Sequence, residues 1–301
     1  MKTKKGLRIT LIVLAAILLI MFILPFAFQG KIAGIVKTEG NKMLNAEFNF
    51  SKLNISLFKH FPQASVSLED FWLKGEGEFA NDTLVKAGEV TATINLFSLF
   101  GKSGYDISRI YISNASLKAI VLPDGKVNWD IMKQDSTAVT TGATKESSSF
   151  RMKMKRLVVS DMDLIYDDRQ GNQYAMLKKL NAECSGDLSS ERTTLKLDAE
   201  MEALSYKMKG IPFLANAKVS AKMDIDADLV HNKYTLKDNE FHLNAIKAGI
   251  DGWVAMKNPA MEMDLKLKTN EVGFKEILSL VPAIYAKDFA KLKTDGTASL
   301  S

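Results

Sequence analysis

A single cysteine, Cys184, in 301 residues leaves no internal disulfide and no thiolate metal cluster to hold the chain together. It reads as a small core residue. Histidine is almost as scarce: His60, His231 and His242 are scattered, and neither HExxH nor GxSxG occurs. Gly101-Lys102-Ser103 has the tail of a phosphate loop, but Leu96 stands where the earlier glycine must cradle the phosphates. Asp224, Asp226 and Asp228 begin like a calcium loop, yet Leu229 replaces its glycine and Thr235 its bidentate glutamate, which leaves them as the wet face of a strand. Runs of one charge are also missing. The 40 Lys and Arg against 35 Asp and Glu, a net +5, are spread along the chain without the basic, aromatic-interleaved stripe that nucleic acid needs. These absences point to a non-enzyme with no metal, no cofactor and no nucleic-acid partner.

One uncharged stretch stands out. Ile9 to Phe28 runs twenty residues without a charge, and as a helix at ~1.5 Å per residue it spans roughly the 30 Å of a bilayer core. Ile9, Leu14, Leu19, Ile23 and Phe28 mark its course. It exceeds a usual signal-peptide core and no small-x-small cleavage site follows Pro25, so an uncleaved anchor is expected. Lys2, Lys4, Lys5 and Arg8 put the leader, residues 1–8, in the cytoplasm and everything after Gln29 across the membrane.

Ile32, Ile35 and Val36 then recur at helical spacing on a stretch that closes with Gly40, predicting a short amphipathic helix with a glycine stop. From there the period changes to two. Phe48 and Phe50 are followed one residue out of phase by Leu53 and Ile55, which predicts a bulge or turn between them. Val66 and Leu68, then Val90, Ala92 and Ile94, continue as half-buried strands. Pro123-Asp124-Gly125 marks a turn before Val127, Trp129 and Ile131, a predicted hairpin. Half of the sixteen residues from Gln134 to Ser149 are Ser or Thr, so a flexible linker is expected between a first β region (29–133) and a second (150–301). In the second, Leu195 and Leu197, Met223 and Ile225, and Met261 to Leu267 alternate with charged residues. Phe274 to Leu292 returns to helical spacing around Pro282, a helical insertion, and the chain stops inside what reads as a starting strand. An eight-residue echo links Ile110–Leu117 to Leu157–Leu164 at an offset of 47; duplication and shared alternation explain it equally well.

Read in order, the basic leader and span, Ala46-Glu-Phe-Asn-Phe, Val66-Ser-Leu-Glu-Asp-Phe-Trp-Leu, Ile110–Leu117, Asp124-Gly-Lys-Val-Asn-Trp-Asp130, the Ser/Thr loop, Asp167-Asp-Arg-Gln-Gly171 and Leu278-Ser-Leu-Val-Pro282 resemble the N-terminal region of the AsmA family. That resemblance implies an inner-membrane-anchored periplasmic protein related to TamB and chorein-type lipid bridges. It implies a mainly β fold, a twisted antiparallel, groove-like sheet, with links to phospholipid movement and outer-membrane assembly. It carries no catalytic residues. Members that bridge envelopes have many more residues than this chain. The candidate lipid-contacting positions are Phe48, Phe50, Ile55, Val66 and Leu68 in the first strands, then Val90, Ile94, Leu197, Ile225 and Leu265. The partners implied are membrane phospholipids, the inner membrane and outer-membrane proteins. A scaffold that pairs its strand edges with client strands, an unrecognised hydrolase, and a closed sandwich whose apolar rows are ordinary core stay open as rivals.

Overall fold

The computed structural model describes residues 29–38, 40–60, 63–95, 107–131, 133, 154–187, 190–257, 260–269, 271–278 and 296–299. The expected anchor, the Gly101-Lys102-Ser103 stretch, the Ser/Thr-rich segment and Pro282 lie outside them. Among the described residues no helix is long and apolar enough to cross a membrane.

The period-two segments form one sheet. Its strands are β1 (Ala46–Asn49), β2 (Lys52–His60), β3 (Gln63–Gly75), β4 (Thr83–Asn95), β5 (Ile107–Val121), β6 (Arg156–Asp168), β7 (Gln173–Ser185), β8 (Arg192–Met208), β9 (Ile211–Asp228), β10 (Lys233–Leu243), β11 (Ile246–Lys257) and β12 (Ala260–Thr269). From β3 onward each strand pairs with the next in sequence, while β1 and β2 share the outer side of β3. A two-stranded pair, β13 (Val272–Gly273) with β14 (Thr297–Ala298), brackets the segment expected to be helical, of which α2 (Phe274–Leu278) is described.

The sheet is mixed, which corrects the antiparallel expectation: β5 and β6 run parallel. After β5 the chain does not turn straight back. It crosses to the N-terminal side, where Asn45 N–H donates to Ile131 O (2.7 Å) and Lys133 N–H to Met43 O (3.2 Å). It re-enters beside the start of β5, with Lys155 N–H donating to Ser108 O. A return to the same end makes the next strand parallel. The Ser/Thr-rich segment therefore separates two strands that are direct neighbours in one sheet. The offset of this parallel register is 47 throughout, from Arg109↔Arg156 to Val121↔Asp168, so the two echoing segments lie side by side.

Two local expectations are corrected. The hairpin over Val127 to Ile131 is a single bridge, Val121↔Val127. The buried Asn128 takes the place of its second strand: it accepts at Oδ1 from Ile120 N–H (2.8 Å), donates its own N–H to Ile120 O (3.1 Å), and donates from Nδ2 to Lys118 O (2.7 Å). One side chain thus supplies ladder bonds that a backbone would otherwise make. Nor does Gly40 stop the helix. Residues 29–38 and 40–43, here α1, are helical on both sides of it. The Phe48 ring lies where a Cβ at Gly40 would stand, so the glycine permits close approach of helix and strand.

A line of left-handed residues crosses the strands: Asp70 in β3, Asn114 in β5, Asp161 in β6, Lys179 in β7 and Asn216 in β9, all at φ near +50°. Asn and Asp tolerate this conformation best among residues with side chains. Gly88, whose own φ is not positive, stands at the corresponding place in β4, its missing side chain facing Asn114 Cβ. Side chains replace the ladder bonds lost along the line: Lys179 N–H donates to Asp163 Oδ1 (3.0 Å), Asp161 N–H to Asn181 Oδ1 (3.1 Å) and Asn216 N–H to Ser205 Oγ (3.1 Å). A left-handed residue bends its strand as a bulge does, so those aligned in β3, β5, β6 and β7 crease that part of the sheet along one line.

Candidate functional site

Residues opposite one another in a ladder share a face, so the register can be followed from strand to strand. One row runs from Leu53 through Leu68, Val90, Ile112 and Val159 to Ala182, Ala199, Ala221, Phe241 and Ala248. A second runs from Ile55 through Val66, Ala92, Ile110, Leu157 and Cys184 to Leu197 and Met223. A third, further along, joins Leu195, Ile225, Leu236, Gly252 and Leu265. One face of the sheet is therefore apolar from its first strands to its last.

The crease preserves that face. An extra residue in a strand reverses the alternation beyond it, so apolar residues on either side of a bulge stand three apart: Leu68 and Phe71, Ile112 and Ala115, Val159 and Met162, Leu177 and Leu180. Ala87, Ala115 and Met162 form a buried cluster against which Val90, Ile112 and Val159, from beyond the crease, pack. Both halves of each strand thus point apolar side chains the same way.

The ten candidate positions divide into three settings. Phe48 and Phe50 are buried beneath α1, whose Ile32, Ala33 and Val36 pack on them; Ile55, Val66 and Leu68 pack around the same cluster. Ile35, expected on the packed stripe, is 53% exposed on the other side of the helix. Val90 belongs to the second cluster, and Ile94 pairs with Ala64 and Ile107 beside it. Leu197 and Ile225 are half-buried, and Leu265 is 41% exposed. Trp129, from the segment after β5, meets Tyr166 of β6 with ring centroids 6.4 Å apart, and among the described residues no helix packs over β7 to β12. The candidate set omits Ile112, Val159 and Leu177, which lie on the same face. The signal that would have found them is the four-residue pattern apolar-x-(Asn, Asp or Lys)-apolar, as in Ile112-Ser-Asn-Ala115 and Val159-Ser-Asp-Met162.

The opposite face is wet and charge-paired. Arg156 Nη2 contacts Glu183 (2.7 Å), Lys222 contacts Asp198 (3.1 Å), and Asp226 is held by Lys237 and by Thr194 Oγ1 (2.9 Å). Asp224, Asp226 and Asp228 lie in β9 between β8 and β10, as expected for the solvent side of a strand. Hydrogen bonds from the His231 ring and backbone, with Arg192 nearby, pull the Asp228 carboxyl down to about 2. Cys184 faces the apolar side, where burial pushes its thiol pKa up and keeps the sulfur protonated.

An open sheet with an unbroken apolar face, capped by a helix at one edge, defines a protein built around a single extended surface. The AsmA family model matches residues 3–299, and the chain belongs to the AsmA family. Neither the curated proteins nor the solved structures give a match.

Proposed function

We propose that this chain is held in the inner membrane by residues 9–28, stands in the periplasm, and handles or transfers phospholipid without catalysing a reaction. The observation that carries this reading is the apolar face of β7 to β12, over which no described helix packs. A sheet with one apolar face must be closed by another layer, another chain or a ligand. At ~0.8 kcal/mol per methylene, a sixteen-carbon acyl chain laid on such a face gains on the order of 10 kcal/mol, comparable to what it leaves in a bilayer. Near-balance favours sliding over trapping, and the crease supports a trough along which chains could lie. Membership of the AsmA family is consistent with envelope lipid transport or assembly.

The test is mass spectrometry of lipid bound to the detergent-purified full chain, with two adjacent substitutions on opposite faces. Leu197→Asp places a carboxylate where an acyl chain would lie and should abolish phospholipid copurification while the protein stays folded; Lys196→Asp should change little. Should Leu197→Asp unfold the protein while the wild type carries no lipid, the apolar rows are ordinary core. Copurification of outer-membrane barrel proteins in place of phospholipid would make the chain an assembly factor.

A further inference from the structure

β12 ends the sheet among the described residues. β12 pairs with β11 over ten consecutive positions, from Ala248↔Thr269 to Lys257↔Ala260, and among the described residues nothing pairs with its other side. Of the devices that blunt such an edge it carries only charged side chains, Lys266 and Lys268 among them. It holds no proline and no bulge, and its apolar side, Met261, Met263, Leu265 and Leu267, carries no inward charge and is 41–54% exposed.

Its charges have an internal symmetry. Along Glu262-Met-Asp264-Leu265-Lys266-Leu-Lys268, two negative positions precede Leu265 and two positive ones follow at the same distances. Turned end for end about Leu265, the strand meets itself with Glu262 opposite Lys268, Asp264 opposite Lys266, Met263 opposite Leu267, and Leu265 opposite Leu265. In that antiparallel register each directly opposed charge pair is attractive, Met263, Leu265 and Leu267 meet apolar partners, and Met261 falls opposite Thr269. Within the chain Glu262 is engaged by Lys257 (2.7 Å) and Lys268 reaches Asp251 (3.2 Å), whereas among the described residues the central Asp264 and Lys266 form no ion pair.

From this complementarity we infer that β12 is a homodimerisation edge, pairing antiparallel with β12 of a second copy about Leu265. Opposed residues in a ladder share a face, so the apolar faces of the two copies join on one side and the twelve-stranded sheet doubles. A two-fold interface of this kind uses the same patch on both copies and closes on itself, leaving no edge to propagate. The inference does not depend on the lipid reading, since it rests on the edge and its charges.

A charge swap tests it on the full chain in detergent, with the mass of the protein followed by sedimentation over a wide concentration range. Asp264→Lys and Lys266→Asp each turn two attractive cross-strand contacts into two repulsive ones, and each should weaken dimerisation roughly tenfold or more. The double variant Asp264→Lys/Lys266→Asp restores the complementarity and should restore the dimer. In a Cys184→Ser background, Leu265→Cys should form an intermolecular disulfide, while Lys196→Cys in the middle of the sheet should not. A wild type that stays monomeric, with or without an extended peptide on this edge, overturns the inference. So does a double variant no better than the singles, or a Leu265→Cys that cross-links no faster than Lys196→Cys. Phospholipid carried equally by the dimer and by the monomeric single variants separates this result from the lipid test.

Discussion

The two edges of this sheet solve the same problem in opposite ways. At the first, α1 lies against β1 and β2 and its side chains take up the backbone groups that no strand pairs. Asn41 accepts from Phe48 N–H (2.8 Å) and donates to Phe48 O (3.1 Å), Lys37 Nζ donates to Phe50 O (2.8 Å), and Gln29 Nε2 donates to Leu53 O. Lys37 also sits 4.5 Å from the centroid of the Phe50 ring. At the last edge, β12 offers its unpaired backbone and alternate apolar side chains to whatever arrives. The same alternation of apolar and polar residues therefore makes a sealed core at one end and an exposed surface at the other. The difference lies in what covers it, not in the strand.

The largest test of that contrast is a pair of truncations. Leu53 is 2% exposed at the centre of the α1-covered cluster, so Leu53→Ala should cost about 2–5 kcal/mol, the lost transfer energy plus the cavity left behind. Met261, 54% exposed at the far edge, should lose no more than ~0.5 kcal/mol on going to Ala. Chemical denaturation of the solubilised chain reads both, and equal losses would show that the far edge is a covered core after all.

A smaller effect should detach the bare edge alone. Gly252 has φ +127°, and a Cβ there would run into the Asp264 carbonyl, so only glycine lets β12 come this close to β11. Gly252→Ala should cost roughly 1–3 kcal/mol. Its signature is local: amide exchange should accelerate across β11 and β12 while β1 to β3 keep their protection. Uniform acceleration would mean that the two edges unfold as one unit.

The smallest effect lies between the edges, at the β9–β10 turn. The Asp228 carboxyl is held at about 2 against an ordinary 3.8 by hydrogen bonds from His231. A lowered folded-state value stabilises the fold above the ordinary pKa, and that stabilisation disappears as pH falls from 3.8 through about 2. Asp228→Asn should flatten that stretch of the pH–stability curve and leave neutral pH stability little changed. An acid limb as steep as in the wild type would show that this turn is not where the carboxylates act.

What the residues determined unaided was the local period. Alternation alone predicted the strands carrying Val90, Leu197, Ile225 and Leu265, the wet row of aspartates in β9 and the break between Phe50 and Leu53, because side-chain direction along a strand depends only on the backbone two residues away. The landmarks quoted from Ala46 to Pro282 were enough for the family. Tertiary structure alone decided matters that rest on contacts distant in sequence. These are the parallel β5–β6 pair and the use of Asn128 in place of a strand. They include Gly40 as a seat for Phe48, and the alignment of Asp70, Asn114, Asp161 and Lys179 into one crease. Each left-handed residue looks, in its own strand, like a flaw in the pattern. Only the register between strands sets those flaws side by side, and it does so because a bulge in one strand costs least when its neighbours bend at the same place.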